Sequence, residues 1–147
     1  MTGVQTCALP ISSVSVTEVP CPGLADAVQH ADGAGIDAAV AAAAARTPDD
    51  VSAVVLGCTH YELLAERIRT AVTEAAGRSS SLPPVALYGS AGAVAAHSLR
   101  RVGELPAPEA EPTGRLTVLL NGREAALPDE ALDYPEGRLL ASVIQVY

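Results

Sequence analysis

The run Val51 to Leu56, followed at once by Gly57-Cys58-Thr59-His60, constrains the fold more than any other part of the chain. It is short and β-branched, as expected of a strand buried on both faces. Glycine ends it. From Tyr61 the period changes: Tyr61, Leu64, Ile68, Val72 and Ala75 share one helical face, while Glu62, Glu66, Arg69 and Glu74 lie largely elsewhere. Val85 to Tyr88 is a second apolar run, and Gly89 to Gly92 leads from it into a helix carrying Val94, Leu99 and Val102. Strands that alternate with helices predict an α/β class, a mostly parallel sheet with flanking helices. In such sheets ligands bind outside the carboxyl ends of the strands, where both glycine turns fall.

The flanking segments read less sharply. Val14 and Val16 alternate with polar neighbours, which predicts a strand over Ser13 to Val19. Pro20-Cys21-Pro22-Gly23 must break it. Leu24, Ala27, Val28 and Ala31 then recur at helical spacing. Gly33 and Gly35 are expected to end that helix, and Ile36 to Arg46 to form an alanine-rich second one. Gly77 to Pro84 is a Gly/Ser/Pro loop, and Leu105 to Gly114 is a linker rich in Pro, Glu and Ala. Leu116 to Leu120 and Leu140 to Val146 are expected to be strands.

Composition narrows the function classes. With no Trp, no Phe and four Tyr, the core must be built from Ala, Val, Leu and Ile, and stacking platforms for nucleic acid are nearly absent. Nine Arg and no Lys face seventeen acids, a net charge of -8 that phosphate backbones would repel. The longest apolar run, Ala38 to Ala45, is far short of a membrane span, and no signal peptide opens the sequence. No nucleic-acid or membrane partner is expected. Three cysteines without a disulfide spacing suit a reducing cytoplasm.

Cys58 is the candidate reactive group. A strand delivers its thiol to the sheet mouth just before a helix, where unpaired amides and the helix dipole favour a thiolate. The same amides suit a substrate carboxylate. Thr59 and Glu62 fit a capping box, with Thr59 as the cap and Glu62 reaching back. His60 is near enough to exchange a proton with Cys58 if the turn aims it inward. Each residue also has a plain structural role: Cys58 as a small hydrophobe, Thr59 as a cap, His60 as a solvated side chain. Cys58 and His60 supply only two metal ligands and no second cluster matches them, so no metal is expected.

Gly57-Cys58-Thr59-His60-Tyr61-Glu62-Leu63-Leu64 resembles the second catalytic cysteine motif of the glutamate racemases, G-C-T-H-Y-P-L-L. Glu62 stands where proline is usual, and either residue suits a first helical turn. Cys21-Pro22-Gly23-Leu24 resembles the family's C-P segment ahead of a helix. Leu87-Tyr88-Gly89-Ser90-Ala91 resembles its later turn L-I-D-S-A, with Gly89 in place of the Asp. The matches run from about Val19 to Ala95. The resemblance implies cofactor-free interconversion of L- and D-glutamate, supplying D-glutamate for peptidoglycan, by two cysteines on opposite faces of the α-carbon. Cys58 would be one acid/base, acting on the D-enantiomer. Thr59 would bind substrate through its side chain or amide, and His60 would bind substrate or assist the proton handling of Cys58.

The resemblance also implies a partial copy of a two-domain racemase fold. Met1 to Ile11 resembles the conceptual translation of a sequencing-adapter oligonucleotide, so residues 1–12 are set aside as an artefact. Residues 13–82 would be most of the second domain, and 83–147 a segment returning to the first. The family's Asp-Ser-Gly and Cys-Asn-Thr turns have no counterpart, and Cys21 matches a different place. The 147 residues are therefore expected to carry one of the two cysteines and to be inactive alone. The complete protein would take glutamate and could be a homodimer. The rivals are an aspartate- or hydantoin-type racemase, a cysteine hydrolase for which the sequence offers no third orienting group, and a non-catalytic α/β domain. His60-Tyr61 favours glutamate over aspartate, whose racemases more often carry Glu after the Cys-Thr pair.

Overall fold

A computed structural model describes residues 14–77, 84–104 and 116–144. Residues 1–12, most of the segment read as the Gly77 to Pro84 loop and all of the Leu105 to Gly114 linker lie outside them. The class is mixed α/β, with helix predominating.

The first helix, α1 (Leu24–Gln29), follows Gly23, whose φ of 79° is a left-handed conformation that glycine adopts without steric cost. Leu24, Ala27 and Val28 are its buried face, as their spacing predicts. Gly33 and Gly35 do not end this helix. They lie in the first turn of α2 (Gly33–Ala44), because Asp32 caps it by accepting the Gly35 N–H at 3.0 Å. Alanine propensity carries α2 forward, and Ile36, Val40 and Ala44 pack inward from it.

The expected strand over Ser13 to Val19 does not form among residues 14–19: no strand pairs with that stretch among the described residues, and Val14 and Val16 are exposed. Strand β1 spans only Ala53–Val55 and pairs in parallel with β2 (Ala86–Tyr88), Val54 opposite Leu87. Contrary to expectation β1 is covered on one side only. Val54 is half-buried, while Val55 is 75% exposed and its register partner Tyr88 60% exposed. With two strands in this sheet, and nothing among the described residues laid over that face, the apolar run is not buried on both sides.

After β1 the chain makes one helical turn, α3 (Thr59–Glu62), breaks at Leu63 and Leu64, and continues as α4 (Ala65–Ala75). Tyr61, Leu64, Ile68 and Val72 are buried or half-buried as their spacing predicts, and Ala75 is exposed. Helix α5 (Ala91–Val102) follows β2 and buries no residue; Val94 and Val102 are exposed and Leu99 half-buried.

The last third departs most from expectation. Leu119–Leu120 is a two-residue strand, β3, in an antiparallel hairpin with β4 (Arg123–Glu124). Asn121 and Gly122 turn it, both with positive φ, which is the twist-matched hairpin turn that Asn-Gly favours. The segment read as a strand over Leu140 to Val146 is instead helical as far as described: α6 (Pro135–Ile144), preceded by a 3-10 turn over Asp129–Asp133. Pro135 sits at the first helical position, where its missing N–H costs nothing.

Two apolar clusters hold these elements. Leu24, Ala27, Val28, Ile36, Val40, Leu64 and Tyr134 form the larger, joining α1, α2, the α3–α4 break and the residue before α6. Ala44, Val72 and Val85 form the smaller, under the sheet. Each buried Leu or Val stabilises by about 1.5–3 kcal/mol relative to exposure.

Candidate active site

The sheet places two turns side by side. Leu56 N–H donates to the Tyr88 carbonyl at 2.8 Å, the last rung after the paired strands. Gly57 and Cys58 continue from one strand, and Gly89 and Ser90 from the other. Both turns therefore open at the carboxyl end of a parallel pair, the position expected for a ligand site in such a sheet.

Cys58 is half-buried and is the N-cap of α3, with extended backbone (φ -141°, ψ 138°), and makes no side-chain cap hydrogen bond. The expected capping box is absent. Thr59 is the first helical residue and is exposed, and Glu62 reaches away from it. The reason is that Glu62 finds better donors elsewhere: Ser90 N–H at 2.6 Å, Ser90 Oγ at 2.9 Å, and Ala91 N–H at 3.1 Å and 2.9 Å to its two oxygens. Those amides hold its carboxyl below the ordinary value of 4.5.

The backbone turn at Cys58 aims His60 inward. His60 Nδ1 lies 3.7 Å from Cys58 Sγ, within hydrogen-bonding range for sulfur, and His60 Nε2 lies 3.1 Å from Gln29 Oε1. Gln29 ends α1 and is far from Cys58 in sequence. Its oxygen can only accept, so the tautomer that fits this contact has its proton on Nε2 and leaves Nδ1 as the acceptor facing the thiol. This is a three-member relay: a thiol, a base within reach of it, and a group that sets the base's tautomer and orientation. Gln29 is the partner of His60 that sequence reasoning missed. The one signal for it was its place at the end of the helix that follows Cys21-Pro22.

Cys21 stands near the relay without joining it. Its Sγ donates to the Val19 carbonyl at 3.4 Å, and burial pushes its thiol above the usual value of 9.0 against the pull of Arg46. Tyr61 OH donates to the Cys21 carbonyl at 3.3 Å, and burial, then the nearby Cys21 and Cys58 thiols, raise its phenol above 10.0. Tyr61 thus ties the Cys58 turn to the segment ahead of α1.

The relay lies at the surface. A hollow of about 620 Å³ between α1 and α2, lined by residues including Pro22, Asp26, His30 and Asp32, contains none of Cys58, Thr59 or His60. No three His, Cys, Asp or Glu side chains cluster as a metal site requires among the described residues. Among those residues no helix is long and apolar enough to cross a membrane. No protein-family model, curated protein or solved structure matches the chain.

Proposed function

We propose that this chain supplies the Cys58 half of a cofactor-independent glutamate racemase site. The observation that carries the reading is the Cys58–His60–Gln29 relay, built around the octapeptide whose sequence resembles the racemase motif. In the proposed reaction the Cys58 proton passes to His60 Nδ1, leaving a thiolate. The thiolate takes the α-proton of D-glutamate: the Cα–H bond breaks and an S–H bond forms. A second thiol on the opposite face then donates its proton to the α-carbon, completing the inversion. Two bases are needed because one would return the proton to the face it left. Removing an α-proton without a cofactor is slow, so water exclusion and placed donors must lower the barrier. Thr59, at the first helical position, offers its amide and hydroxyl to a substrate carboxylate. The parallel sheet, in this reading, is the remnant common to a two-domain racemase fold.

Among the described residues there is one such relay, and we propose that the 147-residue chain does not racemise glutamate by itself. The test joins a racemase half bearing the Cys-Asn-Thr turn ahead of Ser13 and follows D-glutamate formation and α-deuteration in heavy water. The expected result is inversion in the joined chain, its loss in Cys58→Ala, and none in the 147-residue chain. Inversion that survives Cys58→Ala, or that the 147-residue chain performs unaided, overturns the proposal. Absence of α-exchange from every chain also counts against it.

Gln29 favours one second reading, a cysteine hydrolase with Cys58 as nucleophile and His60 as base, because it supplies the orienting group that class requires. An activated ester separates the two: a hydrolase accumulates an acyl group on Cys58, which is then released by water, and a racemase half-site does not turn the ester over.

A further inference from the structure

We propose that Glu62 is a positioning residue for the Cys58 turn: its carboxylate locks α3 to the head of α5, and the absence of a side chain at residue 89 admits it. The role rests on reading Cys58 and His60 as the reacting pair; the lock itself does not.

Helix α3 cannot hold itself in place. It has four residues, buries none of them, and has no side-chain cap. A single turn fixes several dihedrals for very few hydrogen bonds, so it is unfavourable in isolation. Besides the packing of Leu64 just after it, three consecutive side chains of the turn reach three different segments. His60 reaches Gln29 at the end of α1, Tyr61 reaches the Cys21 carbonyl, and Glu62 reaches Ser90 and Ala91. The first two lie on the α1 side. Of these three, Glu62 is the one that ties the turn to the neighbouring strand's helix, so it sets how α3 rotates about the other two.

The receiving end is built for a carboxylate from outside the helix. Ser90 is the N-cap of the twelve-residue α5 and makes no cap hydrogen bond to its own helix. Its hydroxyl and amide, and the Ala91 amide, all donate to Glu62. The carboxylate therefore caps α5 from another element, and its charge faces the positive end of that helix.

Gly89 completes the fit. A Cβ at residue 89 would meet the Glu62 Cδ and Oε2 at 2.7 Å and Oε1 at 3.0 Å, closer than real contacts allow. Gly89 is not among the positive-φ residues, so its backbone does not require glycine; what requires it is the Glu62 carboxylate, the end of a flexible side chain that a Cβ here would push aside. Residues 62 and 89 are two of the three positions, with Tyr88, at which the quoted motifs depart from the racemase pattern, and here they meet.

The test uses the 147-residue chain as Glu62→Ala, Gly89→Ala, the double variant and Glu62→Gln. The readouts are the His60 ring nitrogen shifts, which report its tautomer, and Cys58 alkylation, with Cys21 as the internal reference. Each single alanine variant is expected to mix the His60 tautomers and to change Cys58 alkylation by about twofold or more, the lower end for contacting residues. The double variant is expected to match Glu62→Ala, since Gly89→Ala acts only by expelling the carboxylate. Glu62→Gln keeps one acceptor oxygen and is expected to restore part of the wild-type signal. An unchanged His60 spectrum in Glu62→Ala, or additive effects of the two substitutions, overturns the proposal. If the alanine variants do not fold, the wild-type Ser90 and Ala91 amide signals decide. They are expected to titrate below pH 4.5, and a midpoint at 4.5 or no response overturns the lock. None of these readouts needs substrate, so a joined chain that fails to racemise glutamate counts against the reaction and not against the lock.

Discussion

Tyr134 donates its phenolic hydrogen to the main-chain carbonyl of Val28 at 2.7 Å, joining residues 106 positions apart. Tyr134 belongs to the same buried cluster as Leu24, Val28 and Leu64, so the residue ahead of α6 closes that cluster over α1. The Val28 carbonyl also accepts from Ala31 N–H, so losing the phenol does not orphan it. Tyr134→Phe is therefore expected to cost about 1 kcal/mol. Tyr134→Ala, which also empties the ring's site, is expected to cost about 3–5 kcal/mol. Urea unfolding followed by circular dichroism measures both, and equal losses would show that the ring's burial contributes little.

Leu64 lies at the break between α3 and α4 and is 2% exposed. Its packing holds the end of the Cys58 turn against α1. Leu64→Ala is expected to destabilise by about 2–5 kcal/mol. The same substitution at exposed Leu139 should fall within about 0.5 kcal/mol, the usual range for surface changes. Thermal unfolding of the two variants side by side checks the contrast.

His60 and Gln29 should separate in a joined, active chain. His60→Ala removes the base and is expected to lower turnover by about 10²-fold or more, the usual share of a positioned acid/base. Gln29→Ala leaves the base but frees its tautomer, so a smaller loss in kcat with little change in KM is expected. Gln29 is exposed, so its removal should leave the unfolding midpoint unmoved. Equal losses from the two variants would mean that Gln29 does more than orient the ring.

Glu62 sets an acid limit. Its folded carboxyl titrates below the ordinary 4.5, so the folded state favours the ionised form. That contribution is fully present above about 4.5 and is lost as pH falls through the lowered folded value. The wild type should therefore lose more thermal stability than Glu62→Gln as the pH is lowered from above 4.5 into the more acidic range. Parallel losses in the two proteins would show that other carboxylates govern acid unfolding.

The legible part of this protein is local. Val51 to Leu64 announces a strand, a turn and a helix through its periodicity, and both turns fall at the strand ends where that pattern puts them. Asn121-Gly122 specifies its hairpin for the same reason: two residues carry the backbone twist that the turn demands. Leu140 to Ile144 misleads because Val and Ile favour strands only where a sheet receives them, and here the chain has already begun a helix at Pro135.

Sequence alone therefore put the thiol and imidazole of Cys58 and His60 within two residues of each other, so that any tight turn could bring them into contact. It did not set which nitrogen faces the thiol. That depends on Gln29, thirty-one positions away, and the packing of α1 against α2 and α3 brings it there. Glu62 shows the same division. Its spacing from Thr59 suits a local cap, yet two free amides and a hydroxyl across the sheet end, with room left by Gly89, outcompete one amide in its own turn. Spacing encodes what neighbours along the chain can do; the strongest available donors are chosen only after the strands have paired.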